Sequence, residues 1–216
     1  ANDGHHGTFV SSIVGAETDN RTGIASVGFN TMVMPIKAGS DSQSGYVTDG
    51  YGGILWAVEN GAHIVNCSWG GGNTSSSGMT IINYADSCGV IITASAGNDG
   101  VESAKYPAAY APYVDNLIAV ASSTSSDEKS SFSQYGDWVS VSAPGSSIYG
   151  AKPTATYEYL DGTSMASPLV AGLLGLMKSV NSTKNTKEGL MECLLSKQII
   201  LMLKILLILA KLEQAV

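Results

Sequence analysis

A doubly wound α/β fold, with a mostly parallel sheet and helices on both faces, is what the sequence predicts. Three observations carry that prediction. Apolar runs of strand length recur along the chain, helix-like stretches separate them, and several runs end in loops of small residues. Near-continuous apolar strands alternating with helices belong in a parallel sheet covered on both sides. In such sheets ligands bind outside the carboxyl ends of the strands, so functional residues are expected just after each run.

The elements follow in order. "MVMPIKA" (32–38) and "AHIVNC" (62–67) read as strands, with "YGGILWAVENG" between them as a helix. "MTIINYADSC" reads as a second helix and leads into the strand "GVIITASA" (89–96). "NLIAVASS" (116–123) and "WVSVSAP" (138–144) complete the strand set. "SWGGGNTSSSG" and "SAGNDG" are strand-exit loops, and neither is a phosphate loop, because no Gly-Lys-Ser/Thr step follows. From Ser164 to Met177 the chain is apolar nearly all round and reads as a buried helix. Pro168 is tolerated only in a helix's first turn, which sets the predicted start near Ser164.

Composition narrows the function classes. Hydrophobic residues make up 44% of the 216, charged residues only 13%, and there are 25 glycines, which suits a compact fold with tight turns. The formal net charge of −7 argues against nucleic acid as a partner, since phosphate binding needs a basic footprint. Three cysteines (Cys67, Cys88, Cys193) are too few for a disulfide scaffold. Cys67 and Cys88 read either as a pair or as buried free thiols.

Two segments carry chemistry. "NDGHHGTFVSSIVGA" places His5 and His6 where a small and apolar run begins, a position suited to moving protons. "DGTSMASPLVAGLLGLM" places Ser164 at a helix N-terminus, where unpaired N–H groups and the positive dipole end favour a developing negative charge. A hydroxyl nucleophile gains most from that position when it attacks a carbonyl and creates an oxyanion.

"HGT", "SAGN" and "GTSMASP" occur in that order, and together they resemble the subtilisin-like serine proteases. The quieter pieces "KYPAAY", "SSFSQYGDWVSVSAPG" and "ILWAVENGAHIVNCSWGG" extend the resemblance over about residues 1 to 195. It implies a serine endopeptidase working through an acyl-enzyme, with Ser164 as nucleophile and His6 as general base. His5 would be a neighbour, and Phe9 stands where the motif commonly has a second histidine. Asn98 would donate its side-chain N–H to the oxyanion beside the backbone N–H of Ser164. "SWG" (Ser68, Trp69, Gly70) matches one wall of the specificity pocket, with tryptophan in place of the usual leucine, and Ala96 and Gly97 lie where substrate passes. "SGY" (Ser44, Gly45, Tyr46) matches the edge that pairs with an extended peptide by β-strand addition, which implies broad specificity. The resemblance also implies a secreted, monomeric protein made with a signal peptide and propeptide, with no membrane or nucleic-acid partner. No cofactor is expected for catalysis. Structural calcium is frequent in the family, and Asp115, Asp127 and Glu128 lie in loops where acidic groups could serve.

The family's third catalytic residue is an aspartate well upstream of the histidine, in the order Asp, His, Ser. Only five residues precede His6, and Asp3 reads as a cap of the coming helix, so that aspartate is expected outside this chain. The expected domain is therefore a peptidase domain over 1–195 lacking its N-terminal part. Residues 196–216 read as an apolar tail foreign to the family. Between 199 and 210 Lys204 is the one charge, and the run is too short for a membrane span of about 20 residues. Regrouping the codons of "AKLEQAV" and "QIILM" by one base allows "GKIGTGR" and "ADNID", both family-like, so a frameshift product is expected. The alternative function is an inactive or barely active remnant that at most binds peptides. An esterase fits less well, because "GTSMASP" is not the Gly-x-Ser-x-Gly elbow.

Overall fold

The computed structural model describes residues 5–40 and 45–180. Helix α1 (His6–Gly15) comes first, followed after a long connection by α2 (Gly50–Glu59). Strand β1 (Ile64–Cys67), helix α3 (Ser76–Ser87) and strand β2 (Ile91–Ser95) form one unit, and a short 3₁₀ helix (Ala108–Tyr113) precedes β3 (Leu117–Ser123). β4 (Val141–Pro144), a hairpin of β5 (Ile148–Lys152) and β6 (Thr156–Leu160), and helix α4 (Thr163–Val180) complete the order.

The main sheet runs β1-β2-β3-β4, and every neighbouring pair is parallel. Its two faces separate cleanly by strand alternation. Leu117, Ala119 and Ala121 of β3 face a core shared with Ile54 and Val58 of α2 and Ile82 and Ala85 of α3. Ile118 and Val120 point the other way, into a core filled by Ala166, Val170, Leu173, Leu174 and Met177 of α4. Helices thus cover both faces, as the apolar strand runs predict.

Local chemistry sets the helix starts. Asp49 Oδ1 accepts from the Gly52 N–H at 3.0 Å at the head of α2, and Ser75 Oγ accepts from the Gly78 N–H at 3.0 Å at the head of α3. Both are side-chain caps of otherwise unpaired helix donors.

Two expectations need correction. Residues 32–38 form no strand; Met32 is 94% exposed and Met34 is exposed too. A strand exists only with a ladder partner, and among the described residues none lies beyond β1. The β5–β6 hairpin was not foreseen, because Gly150 and the Pro153–Ala155 turn interrupt the apolar pattern. Its role is packing: Phe9 of α1 fills the space a side chain at Gly150 would take. Cys67 and Cys88 are both free, one buried and the other exposed. Burial pushes the Cys67 thiol up to about 12, which makes it an inert core residue. Cys193, Asp3, Ser44 and the 196–216 tail lie outside the described residues.

Candidate active site

The site gathers at the head of α4. Helix α4 starts at Thr163, one residue earlier than predicted, so Ser164 lies in the first turn and Pro168 in the second. Pro168 therefore has no N–H to give the carbonyl of Ser164, four residues back. That carbonyl instead accepts the Ser68 hydroxyl at 2.8 Å, so the helix tolerates an interior proline because a strand-exit loop replaces the missing donor. The Ser164 hydroxyl in turn donates to the Ser68 carbonyl at 3.3 Å. Ser164 is thus no N-cap; its side chain points across to the loop after β1.

Asn98, at the exit of β2, is oriented by the same helix start. Its Oδ1 accepts from both the N–H and the hydroxyl of Thr163, each at 2.9 Å. The Thr163 hydroxyl also accepts from the Gly97 N–H at 3.1 Å. With Oδ1 committed, Nδ2 is turned toward Gly162, where the position a Cβ would occupy lies 3.5 Å from Asn98 Nδ2 and 3.6 Å from Ser164 N. Two nitrogen donors, one from a side chain and one from a helix N-terminus, border the same space, with Met165 Sδ nearer still at 3.3 Å.

His6 begins α1, and α1 packs on α4 through Phe9, Ile13 and Met165, residues within about two turns of His6 and Ser164. Burial holds the His6 imidazole below its usual 6.5, and nearby positive charge, His5 included, adds to the effect. The sign of the linkage follows. As pH falls below 6.5 the unfolded chain takes up a proton before folded His6 does, so stability is full above 6.5 and declines below it. Denaturant titrations across pH 7.5 to 5 should show this decline, smaller in His6→Ala. Equal slopes in both proteins would assign it to other groups.

His5 is buried, and its Nε2 lies 2.7 Å from Glu158 Oε1 of β6. Glu158 Oε2 lies 3.1 Å from Lys152 Nζ of β5. The hairpin's carboxylate thus engages His5 rather than His6.

Sequence reasoning missed the layer beneath Ser164. Asn66 of β1 accepts at Oδ1 from Ser167 Oγ at 2.7 Å and from Thr93 Oγ1 at 3.1 Å, and its Nδ2 donates to Ser68 Oγ at 2.9 Å. Thr93, Thr163 and Ser167 are fully buried. A signal existed: Asn66 and Thr93 are polar residues inside apolar strands, and they stand opposite each other in the β1–β2 register. Asn66→Ala would strand two buried hydroxyls and release Ser68, with an expected loss of about 2–3 kcal/mol in urea denaturation. A loss below about 0.5 kcal/mol would show that the network is not holding the turn.

The other expected contacts are placed unevenly. Ser68 bonds to the Ser164 carbonyl and Gly97 to the Thr163 hydroxyl, whereas Gly70 faces Lys105 and Tyr106, Ala96 N–H bonds to the Val120 carbonyl, and Trp69 packs edge-on against Tyr51 at 5.5 Å beside Gly50. Gly45 and Tyr46 are exposed and sit in a turn bridged to Gly39 through Val47; no bond joins them to the Ser164 turn. Among the described residues no three His, Cys, Asp or Glu side chains converge on one point.

The fold and this site define a doubly wound α/β protein whose serine stands at the head of a buried helix between two strand-exit loops. The chain belongs to the subtilase family, whose profile matches residues 1–203. It is 43% identical over 187 residues to thermitase of Thermoactinomyces vulgaris, covering 87% of this chain and 66% of the relative. Subtilisin DY of Bacillus licheniformis is 37% identical over 183 residues, 85% of this chain and 66% of the relative. A thermophilic serine proteinase of Bacillus sp. strain AK1 is 40% identical over 175 residues, 81% of this chain but 43% of the relative. Among solved structures, a cold-adapted subtilisin-like serine proteinase superposes with a TM-score of 0.71 at 32% identity, over 82% of this chain and 62% of that one. The prenylagaramide maturation protease PagA gives a TM-score of 0.71 at 29% identity, over 85% and 67%. The chain thus spans between about two fifths and two thirds of the length of these relatives.

Proposed function

We propose that this chain carries the nucleophilic half of a serine endopeptidase site. Ser164 Oγ attacks the peptide carbonyl while His6 takes its proton. The tetrahedral oxyanion is met by Asn98 Nδ2 and Ser164 N–H, and His6 passes the proton to the departing amine. Water then hydrolyses the acyl-Ser164 ester by the same steps in reverse order. Peptide would lie along Ser68–Gly70 on one side and Ala96–Gly97 on the other, with Gly45 and Tyr46 offering an edge to its backbone. In this reading an aspartate orients His6, in the order Asp, His, Ser, and the protein works outside the cell as a monomer. Among the described residues no helix is long and apolar enough to cross a membrane.

The observation that supports this reading best is the convergence of Asn98 Nδ2 and Ser164 N on one space beside Gly162. Such paired donors are most useful where an oxyanion develops. A fluorophosphonate probe followed by mass spectrometry tests it. Modification is expected on Ser164, absent in Ser164→Ala and slowed by at least about 10²-fold in His6→Ala. An unmodified folded chain would leave the peptide-binding remnant as the better account.

A further inference from the structure

The turn that carries Asn98 is clamped by a residue the reaction steps do not use. Gln134, in the loop after β3, is fully buried, and its backbone N–H donates to the Gly97 carbonyl at 3.0 Å. Its side chain engages the same turn at two further points. Nε2 donates to the Ser103 carbonyl, and Oε1 fills the position that a Cβ on Gly97 would take. Gly97 stands at φ +115°, a backbone conformation that side chains disfavour, so glycine is required there on both counts. A second bond between the loops, Gly100 N–H to the Phe132 carbonyl at 2.7 Å, ties down the other side of Asn98.

The clamping loop is itself held. Ser133 Oγ accepts from the Ser122 N–H at 2.9 Å, and Lys129 Nζ donates to the Ser130 and Ser133 carbonyls at 3.0 and 3.2 Å. Thr163 takes the Gly97 N–H and donates twice to Asn98 Oδ1. Asn98 thus has its side chain set by the head of α4 and its backbone neighbours set by Gln134.

Stability does not account for an amide at this position. Among the described residues Gln134 Oε1 has no hydrogen-bond partner, and a buried unpaired acceptor costs free energy that an apolar side chain of like size would not. Ser103 is exposed, so its carbonyl can turn to water if Nε2 is removed. What an apolar replacement cannot do is tie Gly97 and Ser103 to one side chain.

We propose that Gln134 is a positioning residue for oxyanion binding, setting the Gly97–Ser103 turn and, through it, the place of Asn98 Nδ2. The inference rests on the peptidase reading above and adds to it a group that acts only through Asn98.

Gln134→Met keeps the length of the side chain and removes both amide atoms. It should melt no earlier than the unaltered chain. Its Ser164 should nevertheless react with the fluorophosphonate about tenfold more slowly per folded molecule, the scale of a misplaced rather than a lost group. In an Asn98→Ala background the same substitution should slow the reaction by less than about twofold, because the group it positions is gone. A purely structural glutamine would instead lower the melting temperature and slow both backgrounds alike. An unchanged rate in folded Gln134→Met, or an equal slowing in both backgrounds, overturns the proposal. If Gln134→Met does not fold, the same cycle is run with Gln134→Asn, whose amide is one methylene short. If that variant also fails to fold, Gln134 holds the fold and the proposal fails. If the unaltered chain does not react at all, the peptidase reading fails on its own. The Asn98 side-chain amide is then followed by NMR in the folded proteins. A changed amide shift in Gln134→Met sustains the positioning, and an unchanged one removes it.

Discussion

Asn98→Ala should lower turnover, or the rate of Ser164 modification, by about 10²–10³, the cost of removing one such donor in a subtilisin. The side chain has two jobs that the structure separates by atom. Oδ1 accepts twice from Thr163 and so fixes the start of α4, while Nδ2 faces the space beside Gly162. Alanine removes both, so part of any loss could come from a frayed helix head. Asn98→Asp distinguishes them, because it keeps an acceptor for Thr163 but offers no N–H and adds a negative charge where charge develops. Asp should retain most of the thermal stability that Ala loses, about 1–2 kcal/mol, and yet be at least as slow as Ala. An Asp variant as fast as the unaltered chain would place the oxyanion elsewhere.

Leu174→Ala should destabilise the domain by about 3–5 kcal/mol, enough to unfold a marginal protein at ambient temperature. Leu174 is fully buried among Ile118, Val120 and Val170, at the centre of the core between α4 and the sheet. Ile118 and Val120 are fixed on β3, which has a parallel partner on either side, so they cannot collapse into the hole. A chemical melt measures the loss. Because α4 also carries Ser164, labelling should fall with the folded fraction rather than independently of it. A loss under about 1 kcal/mol would mean that this core repacks freely and does not hold the helix in place.

The consequences for the peptidase reading are concrete. His6, Asn98 and Ser164 come from three separate elements, and each is set by packing or hydrogen bonds within the described residues. On the proposed reading, what they hold between them is the nucleophile and its oxyanion donors. The half-buried His6 imidazole is held below its usual range by burial, which favours its neutral form.

Much of this was legible in the chain itself. The alternation of apolar runs and helical stretches determined a parallel sheet with two covered faces, because a strand buried on both sides must be apolar throughout. "SAGN" and "GTSMASP" meet through the Asn98–Thr163 bonds, since strand-exit loops in such a sheet share one edge. Tertiary structure decided the rest. Whether 32–38 forms a strand depends on a ladder partner, which no local propensity can supply. Pro168 sits in the second turn of α4 only because Ser68, 96 residues away, supplies the missing donor to Ser164. Asn66, Thr93 and Ser167 acquire meaning only when strand register and helix docking bring their polar atoms to hydrogen-bond distance. Short-range pattern fixes what each segment can become, and long-range hydrogen bonding and packing select which polar atoms meet.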